Sequence, residues 1–287
     1  MRRRSLLAGL AALVTSACAR VEFFVANAPT VFGAYRRKPN IHYGDQERQR
    51  LDVYVPDASV SPPAGRPLVV FWHGGRWEFG DKSDYRFVGA ALAELGCVAV
   101  LPDYRLYPEV RLDGFMEDAA RAVLWAVAHA TEYGVDPARL YLMGHSSGAH
   151  MAALLALNPK YFAELGAPAP PVAGVIGLSG PYDFLPLREE DLQDMFGPPS
   201  QYELSQPIHF VHSGAPPMLL VQGERDHTVG AFNSKNLAAA LRTAGDAVTL
   251  KLYPDLAHAD TVAALSEVAR GRAPVVEDIK TFLAQTG

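Results

Sequence analysis

Arg139-Leu140-Tyr141-Leu142-Met143-Gly144-His145-Ser146-Ser147-Gly148-Ala149-His150-Met151 is the stretch that decides the fold of this 287-residue chain. Arg139 to Met143 reads as a short strand and Ala149 to Leu157 as a helix, with Gly144-x-Ser146-x-Gly148 at the turn between them. A strand-to-helix turn this tight leaves no room for flanking side chains. It forces the serine at its apex into a strained backbone and holds the hydroxyl above the sheet edge. A serine presented in that way is a candidate nucleophile, and it needs a base to take its proton and a third group to orient that base.

Working outward, three apolar runs are continuous rather than alternating: Leu68 to Trp72, Val98 to Leu101 and Leu219 to Val221. Strands buried on both faces read this way. Leu51 to Val55, expected as the first strand, alternates as a half-buried strand does, and Pro62, Pro63, Gly65 and Pro67 mark a turn-rich connector after it. Helical spacing runs from Gly114 to Thr131, and strand and helix alternate to the end through 172–178, 231–244, 248–253 and 260–284. The expected class is α/β, with a mainly parallel central sheet and helices on both faces.

On such a sheet the site groups follow the order serine, acid, histidine, on loops at the strands' carboxyl ends. Met218 to Val221 runs into a turn carrying Asp226, and Leu250 to Tyr253 into a loop carrying His258. Ser146, Asp226 and His258 are therefore the catalytic candidates. Glu224, Asp255 and Asp260 are rival carboxylates nearby, whereas His145, His150, His209, His212 and His227 come before the last strand and read as packing or rim residues. Negative charge developing on a carbonyl oxygen needs N–H donors aimed at it in advance. The expected donors are the backbone N–H groups of Ser147 and, from the loop His73-Gly74-Gly75-Arg76-Trp77, of Gly75 and Arg76. His73 reads as structural. Trp77 is a candidate substrate contact, with Phe79 and Tyr85 as further candidates for the wall of the mouth.

These residues resemble the α/β-hydrolase superfamily, and more narrowly the branch of hormone-sensitive-lipase-like esterases, kynurenine formamidases and prenylcysteine methylesterase-like proteins. The resemblance spans about residues 30 to 285 and is carried by His73-Gly74-Gly75, Pro102-Asp103-Tyr104-Arg105-Leu106, Gly144 to Gly148, Gly223-x-x-Asp226 and His258. It implies an α/β-hydrolase fold and a cofactor-free serine carboxylic-ester hydrolase with the triad Ser146, Asp226 and His258. Arg76 stands where many relatives carry a third glycine, which points to the formamidase-like and methylesterase-like members. The same triad also serves formamidases, amidases and peptidases. A non-catalytic binding protein on this fold is the reading from another class, and it is expected to lack a triad member.

Composition narrows the rest. With 49% hydrophobic residues and no break in composition, residues 19–287 form one enzyme-sized domain. A net charge of −5, with 26 basic and 31 acidic residues spread along the chain, gives no basic tract for nucleic acid. Cys18 and Cys97, the two cysteines, lie in no CxxC pair, so neither a metal site nor a disulfide framework is expected, and a small-molecule ester is the expected partner. Residues 1–18 have the layout of an export signal: Arg2 to Arg4, an apolar stretch from Leu6 to Val14, then small residues before Cys18. Lipidation of Cys18 would make the protein a membrane-anchored lipoprotein of the bacterial periplasm, the lipid being its one expected attachment to a membrane. Residues 180–215, interrupted by prolines around a short helix at 187–196, are expected as a small cap over a shallow site.

Overall fold

The computed structural model describes residues 25–61 and 64–286. Residues 1–18, expected as an export signal ending at Cys18, and Pro62-Pro63 lie outside the described residues. Strands β1 (Tyr35–His42), β2 (Arg50–Pro56), β3 (Arg66–Trp72), β4 (Val98–Pro102), β5 (Val135–His145), β6 (Gly174–Leu178), β7 (Met218–Gly223) and β8 (Val248–Tyr253) form one sheet. Their order is β1-β2-β4-β3-β5-β6-β7-β8. β1 and β2 run antiparallel to their neighbours, and every pairing from β4 to β8 is parallel.

The parallel strands explain the continuous apolar runs, because successive side chains feed two separate cores. Leu68, Val70, Leu140 and Leu142 face helices α2 (Leu112–Ala128), α3 (Ser147–Leu157) and α6 (Phe232–Ala244). Val69, Phe71, Tyr141 and Met143 face α1 (Arg86–Glu94) and α8 (Val275–Thr286). Burying each such side chain is worth about 1.5–3 kcal/mol, so these two layers hold the sheet rigid beneath its loops. Three shorter helices, α4 (Lys160–Ala163), α5 (Glu190–Met195) and α7 (Asp260–Ala263), decorate the connections.

Three expectations are corrected. The first strand is β1 rather than β2; it is an edge strand carrying Arg36, Lys38 and Pro39, with an irregular register between Lys38 and Ile41, and so has no apolar period to read. β2 is buried along almost its whole length instead of half-buried: Asp52 lies inside because Arg37 pairs with it at 2.6 Å and Lys82 Nζ stands 3.6 Å away. The C-terminal helical stretch breaks into α7 and α8, separated by a 3₁₀ turn at Arg270–Arg272 and by Pro274.

Candidate active site

Ser146 sits between the end of β5 and the start of α3 with φ 54° and ψ −122°. A non-glycine residue in this region costs about 1–3 kcal/mol unless its surroundings over-determine it. Here they do. The Ser146 N–H donates to the Leu178 carbonyl at 2.8 Å, and the Ser146 carbonyl accepts from His150 N at 3.1 Å. A Cβ on Gly144 would lie 2.2 Å from the Gly148 backbone, and one on Gly148 would lie 2.1 Å from the Trp72 carbonyl oxygen. The spacing of the motif is thus a steric requirement of the turn.

Across from the serine, His258 Nε2 is 2.9 Å from Ser146 Oγ, and His258 Nδ1 is 2.8 Å from Asp226 Oδ2. Asp226 Oδ2 also accepts from Gln222 Nε2 at 2.9 Å, while Oδ1 accepts the N–H groups of Thr228 and Val229 at 2.9 and 2.8 Å. Burial raises the Asp226 pKa, but the His258 contact and these two N–H groups outweigh it and hold the carboxyl below its ordinary value. A carboxylate that is charged and accepting at both oxygens fixes Nδ1 of His258 as the protonated nitrogen, leaving Nε2 free to take the serine proton.

The rival carboxylates point elsewhere. Asp255 pairs with Arg225 at 2.6 Å on the surface, Glu224 pairs with Lys235 at 3.4 Å, and Asp260 accepts from Ala257 N at 2.8 Å.

His145 has a role that sequence position did not disclose. Its Nε2 donates to the His258 carbonyl at 3.2 Å and its ring lies 5.0 Å from the His258 ring, so it steadies the loop that carries the base. Burial, followed by the nearby His258 charge, pushes the His145 pKa down to about 3. Burial likewise pushes His150 down to about 4; its Nε2 donates to the Ser205 carbonyl at 2.6 Å. In the unfolded chain both imidazoles titrate at about pH 6.5, so below that pH the unfolded state binds more protons and stability falls, by up to about 1.4 kcal/mol per pH unit for each histidine. Asp226 acts with the same sign further down, since a depressed carboxylate loses its contribution as pH falls through the folded value. Thermal unfolding is therefore expected at clearly lower temperature at pH 4.5 than at pH 6.5, with a shallower slope in His150→Gln. A Tm that is level across this window would contradict the neutral, buried state of both rings.

The loop after β3 turns through three successive left-handed residues, Gly75, Arg76 and Trp77, with φ of 130°, 54° and 61°. Glu78 N and Phe79 N both donate to the Gly75 carbonyl, at 2.9 and 3.0 Å, closing the turn. Ser147 opens α3, so its N–H belongs to the first turn, which has no intrahelical acceptor. Beneath the loop, His73 Nδ1 donates to the Gly74 carbonyl at 2.7 Å, as its structural reading requires, and its ring stacks on Tyr104 at 4.5 Å. Tyr104 Oη donates to the His73 carbonyl, and Asp103 Oδ1, which accepts from Lys82 N at 2.7 Å, lies 3.5 Å from His73 Nε2. The Asp103-Tyr104 pair is therefore the buttress of this loop, which gives a physical reason for its place in the motif.

A cavity of about 690 Å³ opens over Ser146 and Ser147. Arg76, Trp77, Val229 and Phe232 line it together with Phe184, Leu185, Leu187 and Leu192 of the 180–215 segment. This volume sits inside the usual range of about 300–1,000 Å³ for ligand sites. Trp77 does line the cavity, packed against His150, Phe184 and Phe196. Phe79 and Tyr85 do not: Phe79 is 62% exposed away from it, and Tyr85 is buried against Phe71, His73 and Phe87. Of the expected donor residues, Arg76 and Ser147 line the cavity, and Gly75 immediately precedes Arg76 in the turn.

A sheet of this topology with a serine elbow at β5 and a hydrogen-bonded histidine and aspartate on the loops after β8 and β7 defines an α/β-hydrolase. The chain belongs to the BD-FAE family, whose profile matches residues 51–241. It is 32% identical over 277 residues to a probable isoprenylcysteine alpha-carbonyl methylesterase, ICMEL1 of Arabidopsis thaliana, covering 88% of this chain and 56% of that protein. It is 29% identical over 281 residues to esterase LipQ of Mycobacterium tuberculosis, covering 90% of this chain and 65% of that one. The chain thus spans a little over half to two thirds of these curated relatives. Among solved structures, the butyrate-bound esterase Est2 of Thermogutta terrifontis superposes with a TM-score of 0.73 at 25% identity, over 88% of this chain and 95% of that one.

Proposed function

We propose that the chain is a serine carboxylic-ester hydrolase working through an acyl-enzyme. The observation that carries this reading is the unbroken hydrogen-bond chain from Ser146 Oγ through His258 to Asp226, with Ser146 and Asp226 lining a cavity. As Oγ attacks the ester carbonyl carbon, its proton passes to His258 Nε2, and Asp226 stabilises the resulting imidazolium. The oxygen that gains charge is met by the backbone N–H groups of Ser147 and of the Gly75-Arg76 turn. His258 then gives its proton to the leaving alcohol, and water repeats the sequence in reverse to free the acid. The direct test is a fluorophosphonate probe on the purified protein: one adduct per chain, on Ser146, is expected, together with hydrolysis of p-nitrophenyl acetate. An unlabelled, inactive protein would leave the binding-protein reading in its place.

The substrate is proposed to carry a short acyl group. The apolar walls supplied by Trp77, Phe184, Leu187 and Leu192 suit a small acyl or alcohol group, and the butyrate held by the Thermogutta esterase supports the same size class. Acyl carbons that extend past these apolar side chains forgo about 0.8 kcal/mol of binding per methylene. Across aryl esters from two to sixteen carbons, kcat/KM is expected to peak at six carbons or fewer. A maximum at twelve or more would overturn the size argument, and a clear preference for N-formylkynurenine over every ester would move the protein to the formamidase reading.

A further inference from the structure

We propose that Arg76 is a positioning residue that couples the 180–215 segment to the N–H donors of the oxyanion loop; this rests on the hydrolase reading above. The guanidinium reaches across the cavity mouth, where its terminal nitrogen lies 2.6 Å from Glu189 and 2.5 Å from Asp191, and Nε lies 3.3 Å from Glu78. Glu189 precedes α5 and Asp191 stands in its first turn, so the contact seizes the start of that helix. Trp77, the next residue, inserts its ring on the inner side of the same segment, 4.9 Å from Phe196 and 6.2 Å from Phe184.

These are the two non-glycine residues of the loop held at positive φ. A strained backbone persists only where its surroundings over-determine it. Backbone bonds to the Gly75 and Trp77 carbonyls supply part of that constraint, and the cap supplies the side-chain part: Arg76 is fastened to it by charge and Trp77 by ring packing. An isolated exposed ion pair contributes little, but one guanidinium shared among three carboxylates, on a residue whose backbone N–H is an expected oxyanion donor, links cap position to donor position directly. When the cap is seated the donor is aligned, and when it lifts the turn relaxes. A third glycine at this position would reach the same φ without effort and could not report on the cap.

The experiment separates kcat from KM. Arg76→Ala keeps the backbone donor but frees the turn, and is expected to lower kcat about tenfold with KM within about threefold, since small misplacements of catalytic groups act on the chemical step. The Glu189→Gln/Asp191→Asn double variant, which leaves Arg76 untouched and keeps the size of both side chains, should reproduce that loss. Adding Arg76→Ala to it should cost almost nothing more, the non-additivity that marks one shared interaction. Raising KCl to about 0.5 M should lower wild-type kcat towards the variants' and leave theirs unchanged. Arg111→Ala removes a second tie to the same helix, the pair with Asp194 at 2.8 Å, without touching the loop, and should keep kcat within about threefold. Wild-type kcat in Arg76→Ala, additive losses in the combined variant, or an equal loss in Arg111→Ala would each overturn the coupling. Fluorophosphonate labelling keeps the two readings apart: a wild type that takes no label defeats the hydrolase assignment itself, whereas a labelled wild type with any of those three results defeats the coupling alone.

Discussion

Ser146→Ala is expected to fold as the wild type does and to lose at least about a thousandfold in kcat, equivalent to about 4 kcal/mol of transition-state stabilisation. The substitution removes the oxygen that lies 2.9 Å from His258 Nε2, and with it the covalent route; the N–H donors and the cavity remain and supply the residual rate. Alanine has to adopt the same φ of 54°, so the strain of the elbow is unchanged and Tm should stay close to that of the wild type. Steady-state rates with a chromogenic ester, corrected by active-site titration, give the measurement. More than a tenth of wild-type activity in this variant would mean that Ser146 is not the nucleophile.

Asp226→Asn should cost about four orders of magnitude in kcat, because it disturbs the tautomer of the base rather than its position. Both oxygens of Asp226 accept hydrogen bonds, from Gln222 Nε2 and His258 Nδ1 on one side and from the N–H groups of Thr228 and Val229 on the other, and of these four donors only the imidazole nitrogen can also accept. An amide has one nitrogen to place. Turned towards His258, it donates to Nδ1 and puts the ring proton on Nε2, facing the serine, where it cannot accept. Turned the other way, it leaves two backbone N–H groups without an acceptor, at about 1–3 kcal/mol each in stability. Asp255→Asn is the comparison: its carboxylate is 80% exposed and paired only with Arg225, so activity should stay within about threefold of the wild type. If Asp255→Asn proves the more damaging, the assignment of the acid is wrong.

Much of this site is legible in the chain because its constraints are local. Gly144 and Gly148 are needed where a Cβ would strike backbone 2.2 and 2.1 Å away, and a steric requirement of that kind leaves a mark on adjacent positions. The same holds for β3, β4 and β7, whose unbroken apolar runs follow from burial on both faces. Strand β1 left no comparable mark. Its pairing with β2 comes through backbone hydrogen bonds that any sequence can make, and its exposed side chains are free to be charged.

Taken by itself, the sequence determined the α/β class, the elbow and the order of serine, acid and histidine, since each depends on residues within a few positions of one another or on their order along the chain. The sequence also singled out Asp226 from three nearby carboxylates, but only the tertiary structure brought it to His258 Nδ1 and showed that His145 braces the loop of His258, that Tyr85 is buried in the core and not at the mouth, and that Arg76 meets Glu189 and Asp191 across more than a hundred residues. The direction of a side chain at the end of a strand depends on how the neighbouring loops pack, and that packing is settled by the whole sheet and its helices at once. Local spacing carries the period and the sterics of the backbone; it holds no record of which distant surface the folded chain brings alongside.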